Sequence, residues 1–233
     1  MSAELFEFQL KSEQLNTFRL IALDLPGHGQ SERLDDYSVK TFRDTISGFA
    51  KAMSLGSYVV VGHSFGGHFL IQALNNLSAC IGVILIGTPP LKKPLNLEEA
   101  FLPNLAMSLL FKKDLTKEEI VTFAKSVSNT AYNQSVKKSI KNSDSKFREQ
   151  LLHSIQNGDL EDEVKMIQEV QVPLALIVGD QDNFVNMDYI KGLELSTITP
   201  KNPIIIKNSG HSPHLENPLE FNNTLMNLIY RLV

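Results

Sequence analysis

A chain of 233 residues, 42% hydrophobic and 21% charged, is long enough to bury one sizeable core and still carry an insertion. A net charge of −4 with no cluster of Lys and Arg excludes a nucleic-acid footprint, and the longest apolar runs, such as Gly82–Gly87, are far too short to span a bilayer. The single cysteine, Cys80, excludes an intrachain disulfide and argues against structural zinc, which fits a reducing compartment such as the cytoplasm.

Taken in chain order, the pattern predicts a helix at about Ala3–Leu15, a strand at Phe18–Asp24, a helix at Val39–Met53 and a strand at Tyr58–Gly62. A helix at Phe65–Asn76 and a strand at Gly82–Gly87 follow. Between Thr88 and Gln171 no strand is evident, while Leu, Phe, Ile and Met recur at helical spacing among Lys, Glu and Ser. Then come a strand at Val172–Gly179, a helix at Met187–Glu194, a strand at Pro203–Lys207 and a helix at Leu219–Leu232. The strands are continuous β-branched and Leu-rich runs, as expected when helices cover both faces of a parallel sheet. The division that follows is an α/β core of residues 1–88 and 172–233 and a helical insertion of residues 89–171. That insertion is either a packing subdomain or a substrate lid. No signal peptide is visible at the start.

Residues Tyr58–Gly67 read as a strand, a sharp turn and a helix start, and they fit G-x-S-x-G around Ser64. Gly62 and Gly66 flank the serine because neighbouring Cβ atoms would clash as strand and helix approach. The helix that follows points free amides at Ser64, with the Phe65 N–H as one oxyanion donor. A dinucleotide reading of these glycines fails, since there is no G-x-G start and no acidic residue about 20 positions on.

A serine nucleophile needs a base, and the base needs an orienting carboxylate. Two late loops supply them in the order Ser, acid, His: Gly179–Val185, with Asp180 and Asp182, and Ser209–His214, with His211 and His214. His211 stands on a glycine-containing loop after the last strand, the natural place for the base, with His214 as the alternative. His28 fits a tight turn, His63 points away from the hydroxyl toward packing, His68 rides the elbow helix, and His153 lies in the insertion. Asp24 and Asp159 have no comparable setting. No HExxH or other metal-ligand spacing appears.

These residues resemble the α/β-hydrolase superfamily, in particular its small soluble serine esterases, haloperoxidase-like enzymes and C–C hydrolases. The matching pieces are Asp24–Ser31, Gly62–Gly67, Gly179–Val185 and Gly210–Pro218. The resemblance implies Asp182 as the acid, three residues after Gly179 and three before Val185, and His211 as the base. It implies a cap between the sixth and seventh strands of that fold, where the insertion lies. Serine rather than aspartate at position 64 argues against a haloalkane dehalogenase or epoxide hydrolase.

One departure is notable. Members of that superfamily open with a hairpin and a third strand ending in His-Gly, whose loop gives a second oxyanion amide. Here Ala3–Leu10 resembles the helix after that loop. The expectation is therefore that the N-terminal strands are missing, that Met1 is an internal methionine, and that one oxyanion donor is lost. The sheet must then close up, borrow a strand or belong to a longer chain, because unpaired strand edges cost about 1–3 kcal/mol per buried group.

The expected chemistry is attack of Ser64 on an ester carbonyl with His211 as base and Asp182 as its orienting acid. It passes through an acyl-enzyme and needs no cofactor or metal. Phe101, Leu102, Leu105, Met107, Leu109, Leu110 and Phe111 in the insertion point to an apolar acyl or aromatic small-molecule substrate, or simply to packing. The alternatives are a catalytically silent binding protein of the same fold, and a C–C hydrolase or acyltransferase with the same triad. Oligomeric state is not legible.

Overall fold

The computed structural model describes residues 2–128 and 133–232. At its centre lies a four-stranded, fully parallel sheet in the order β1-β2-β3-β4, formed by β1 (Tyr58–His63), β2 (Cys80–Ile86), β3 (Leu174–Gly179) and β4 (Ile204–Ile206). Because successive side chains alternate across a strand, β2 sends Val83 and Leu85 to one face and Ile84 and Ile86 to the other. Strand β3 divides likewise, with Leu174, Leu176 and Val178 opposed to Ala175 and Ile177. Both faces of these strands are therefore core, which is why their sequences run apolar without alternation.

The helices are α1 (Glu7–Leu10), α2 (Val39–Ala52), α3 (Phe65–Ala73), α4 (Leu97–Ala100), α5 (Leu105–Leu110), α6 (Lys117–Val127), α7 (Asn133–Asn142), α8 (Lys146–Gln156), α9 (Glu163–Val170), α10 (Met187–Lys191), α11 (Pro213–Glu216) and α12 (Pro218–Leu232). Their starts carry recognisable caps. Ser38 accepts the Thr41 amide ahead of α2, Thr116 and Glu119 form a reciprocal capping box on α6, and Asp162 accepts the Lys165 amide on α9. Helices α2, α3 and α9 pack on one face of the sheet, and Phe221, Leu225 and Leu228 of α12 cover the other. Between β2 and β3 the regular elements among the described residues are α4 to α9 in succession, joined by turns and irregular segments, with one isolated bridge from Phe101 to Val185.

Two expectations need correction. The helix expected at Ala3–Leu15 is broken into a 3-10 turn at Ala3–Phe6, α1, and a second 3-10 turn at Glu13–Leu15. The break follows from divided packing: Leu5 joins a cluster with Ala124, Val127 and Phe184, whereas Leu15 joins the α12 face with Phe221. No straight helix serves both. Second, Phe18–Asp24 is not a strand, because it has no ladder partner among the described residues. Its Phe18 and Leu20 pack on the α12 face, and Asp24 is held by the Ala3 and Gln30 amides, at 2.6 and 2.9 Å.

The described sheet has not closed up around that segment. Strand β1 pairs only with β2, so its other edge is free, and a cavity of about 820 Å³ lies between it and Phe18–Leu23. No described helix is long and apolar enough to cross a membrane.

Candidate active site

Ser64 sits at the end of β1 and immediately before α3, with φ 52° and ψ −127°. A non-glycine residue seldom adopts positive φ, and holding it there costs on the order of 1–3 kcal/mol. Its backbone is fixed on both sides: the Ser64 amide donates to the Ile86 carbonyl at 2.9 Å, and its own carbonyl receives the Gly67 amide at 2.8 Å. Phe65 is the first residue of α3, so its amide has no acceptor within the helix, and the residue borders the same cavity as Ser64.

The glycine logic of the turn differs from the sequence expectation. A Cβ on Gly62 would come within 2.6 Å of the Gly67 Cα, as expected for close approach of strand and helix. A Cβ on Gly66, however, would meet nothing within 4 Å, and Gly66 borders the cavity. The crowded position is Gly67, where a Cβ would overlap the Thr88 side chain, whose hydroxyl reaches the Ser64 and Ile86 carbonyl oxygens. We expect Gly66→Ala to stabilise the fold by up to about 1 kcal/mol through helix propensity. Gly67→Ala should cost about 1–3 kcal/mol through overpacking, read as opposite shifts in urea midpoint.

The two late loops bring His211 and Asp182 together. His211 Nδ1 lies 2.9 Å from Asp182 Oδ2, with side-chain exposures of 4% and 1%. Asp182 Oδ1 accepts the Phe184 and Val185 amides at 2.8 and 3.2 Å, so the carboxylate is clamped from both oxygens. Burial pushes the Asp182 carboxyl up, but the His211 charge, its hydrogen bond and the two amides together outweigh burial and hold it below the usual range. A carboxylate accepting from Nδ1 fixes the proton there and leaves Nε2 as the basic nitrogen. Nε2 and the Ser64 hydroxyl have no hydrogen-bond partner among the described residues, and both residues border the same cavity. Gly87, at φ +55°, lets the His211 ring seat, since a Cβ there would lie 2.9 Å from Nδ1.

The competing residues are placed elsewhere. Asp180 accepts the Ser209 amide and does not reach His211. Asp24 ties down the N-terminal turn, and Asp159 accepts the Ser154 hydroxyl. His214 is fully buried, stacked 4.6 Å from Phe6, and neither ring nitrogen has a partner. His63 donates from Nε2 to the His211 carbonyl at 2.8 Å, so it supports the backbone of the loop rather than the serine. His28 is buried in its turn, bonded to the Pro26 carbonyl and set edge-on to Phe147, and His153 is exposed.

This strand–serine–helix turn beside a buried His–Asp pair agrees with the family comparison, in which the model described as "Alpha/beta hydrolase family" matches residues 1–224. The chain belongs to the alpha/beta hydrolase family. It is a hydrolase of that fold, similar over its whole length to the N-acyl homoserine lactonase AidH, at 25% identity and a TM-score of 0.94 over 87% of that chain. It is also 26% identical over 243 residues to a Haemophilus influenzae protein whose given name is 2-succinyl-6-hydroxy-2,4-cyclohexadiene-1-carboxylate synthase, covering 97% of this chain and 93% of that one. The esterase RhEst1 from Rhodococcus sp. ECU1013 shares the fold at a TM-score of 0.83 and 16% identity, covering 100% of this chain and 88% of its own.

One feature of this hydrolase escaped sequence reasoning. His68 on α3 pairs with Glu163 at the start of α9, Nδ1 to Oε2 2.9 Å, and Glu163 also accepts the Leu91 amide at 2.8 Å. The partners are 95 residues apart, and no local signal joins them. Of the apolar stripe in the insertion, Phe101, Met107 and Leu110 line the cavity, whereas Leu105 is 71% exposed. The amides of Ser2 and Ala3, which lie beside the cavity, are taken by Ser139 and Asp24, so neither is a second oxyanion donor.

Proposed function

We propose that the protein is a serine hydrolase of carboxylic esters or lactones working through an acyl-enzyme. The observation that carries this reading is the buried His211–Asp182 pair, whose His211 borders the same cavity as a serine held at positive φ. In this reading the Ser64 Oγ bonds to the carbonyl carbon as His211 Nε2 takes its proton. The Phe65 amide stabilises the resulting oxyanion. Collapse expels the alkoxide, which takes the proton from His211. Water then repeats the sequence on the acyl-enzyme, and Asp182 holds the Nδ1–H tautomer throughout.

Residues 89–171 serve as the cap, supported by Phe101, Met107, Leu110 and Phe123 facing the cavity from α4 to α6 and their flanks. An apolar acyl group suits that wall. AidH structures are complexed with N-hexanoyl homoserine lactone and with N-butanoyl homoserine, which supports medium-chain acyl substrates here. The test is a panel of p-nitrophenyl esters from acetate to decanoate beside N-acyl homoserine lactones. The expected result is measurable turnover that peaks at medium chain length. No turnover of any ester or lactone by folded protein contradicts the reading.

A further inference from the structure

Arg148 lies on α8 of the insertion and borders the cavity that holds Ser64, yet it is only 4% exposed. A guanidinium carries five N–H donors, and burying it without an anion is unfavourable enough that proteins ordinarily pair it. Here it has no ion pair among the described residues. Nη2 makes one long hydrogen bond to Ser143 Oγ at 3.4 Å, and the buried Nε has no acceptor among the described residues. The acids nearby in sequence are engaged elsewhere: Glu149 with Lys113, and Asp144 with the Tyr37 hydroxyl and the Lys146 amide. The Phe147 ring lies 4.7 Å beneath the guanidinium carbon, which satisfies its face but gives Nε no acceptor.

We infer that Arg148 is an anion-recognising residue of this cavity, and that the substrate carries a carboxylate in addition to its scissile carbonyl. The side edge of a guanidinium matches the two oxygens of a carboxylate. Burial pulls Arg148 down to about 10, opposed by the attraction of Asp114, so it stays charged at neutral pH. His28 next to it is held neutral and adds no competing positive charge. The inference rests on the serine-hydrolase reading for the identity of the scissile group, but its anion site stands by itself.

The test compares p-nitrophenyl hexanoate with mono-p-nitrophenyl adipate, which differ by a terminal methyl against a terminal carboxylate, and measures binding of free adipate by calorimetry. In the wild type the adipate ester is expected to exceed the hexanoate ester in kcat/KM by about 10-fold or more, through KM rather than kcat. Arg148→Met should abolish that ratio and adipate binding together, and Arg148→Lys should restore part of both. If Arg148→Met does not fold, the ratio in Arg148→Lys against wild type decides. Equal use of the two esters with no adipate binding overturns the inference while leaving the hydrolase reading intact. Adipate binding that depends on Arg148 in a protein that cleaves neither ester overturns the hydrolase reading and supports the anion site.

Discussion

Replacing Ser64 with alanine should remove the acyl-enzyme route and leave only the small residual rate that oxyanion binding supplies. Loss of the serine or base of such a triad costs about 10⁶-fold in kcat where the oxyanion site is complete. A fall of at least about 10³-fold in kcat is the expected result here. Asp182→Asn should approach that loss, since the amide would present the wrong partner to Nδ1 and favour the wrong tautomer. Stability separates these effects from misfolding. Ser64→Gly relieves the positive φ and should raise unfolding free energy by about 1–3 kcal/mol while remaining inactive, as read from urea melts and progress curves on one ester. A Ser64→Ala enzyme retaining more than a tenth of wild-type kcat would remove Ser64 from the chemistry.

The second large effect is on stability in acid. Three histidines are held neutral by the fold. Burial lowers His28 to about 3, assisted by the N-terminus and Arg148, and burial with the His211 charge lowers His214 to about 3. Burial, then His214 and His211, hold His63 well below its usual value. The unfolded chain protonates all three near pH 6.5, so below that pH it binds more protons than the native state, and stability falls as pH falls. Each group contributes a slope of up to about 1.4 kcal/mol per pH unit, or roughly 4 kcal/mol together. Against a typical stability of about 5–15 kcal/mol, acid unfolding is expected about one to four units below pH 6.5. Asp182 is not the driver. Its folded value is depressed, so its contribution is present above its unfolded value near 3.9 and fades only as pH falls through the lower folded value.

His214→Phe isolates one of the three. Its ring already stacks on Phe6 and meets Phe221 edge-on, and its two nitrogens lack partners, so phenylalanine should stabilise the fold at pH 7 and remove about a third of the acid slope. The same variant discriminates between the two candidate bases, because turnover that survives it excludes His214 from that role. Chemical melts at pH 7.5, 6.0 and 5.0 read both results. A wild-type stability that is flat across that range would contradict the neutral-histidine account.

What the sequence made legible were features whose cause is local. The strand–serine–helix turn could be read because its parts are contiguous, and the contact between His211 and Asp182, the proposed base and acid, could be anticipated because each follows an apolar strand run directly. Four of the five expected strands are strands, at most two residues adrift at either end. Phe18–Asp24 failed because a strand needs a partner, and its composition says nothing about the distance to β1. Gly66 was assigned the steric role of Gly67 because a motif records spacing and not the direction in which a missing Cβ would point. The His68–Glu163 pair and the bare Nε of Arg148 depend on how the insertion packs, and in sequence each is an ordinary polar residue on an amphipathic helix.

The central claim is that Ser64 is a nucleophile activated by His211. A fluorophosphonate probe reacts covalently with such a serine without requiring knowledge of the substrate. Intact mass followed by peptide mapping of the native protein should show one adduct, on Ser64, absent from Ser64→Ala and strongly slowed in His211→Ala. No adduct on folded protein, or an adduct on any other residue, would contradict it.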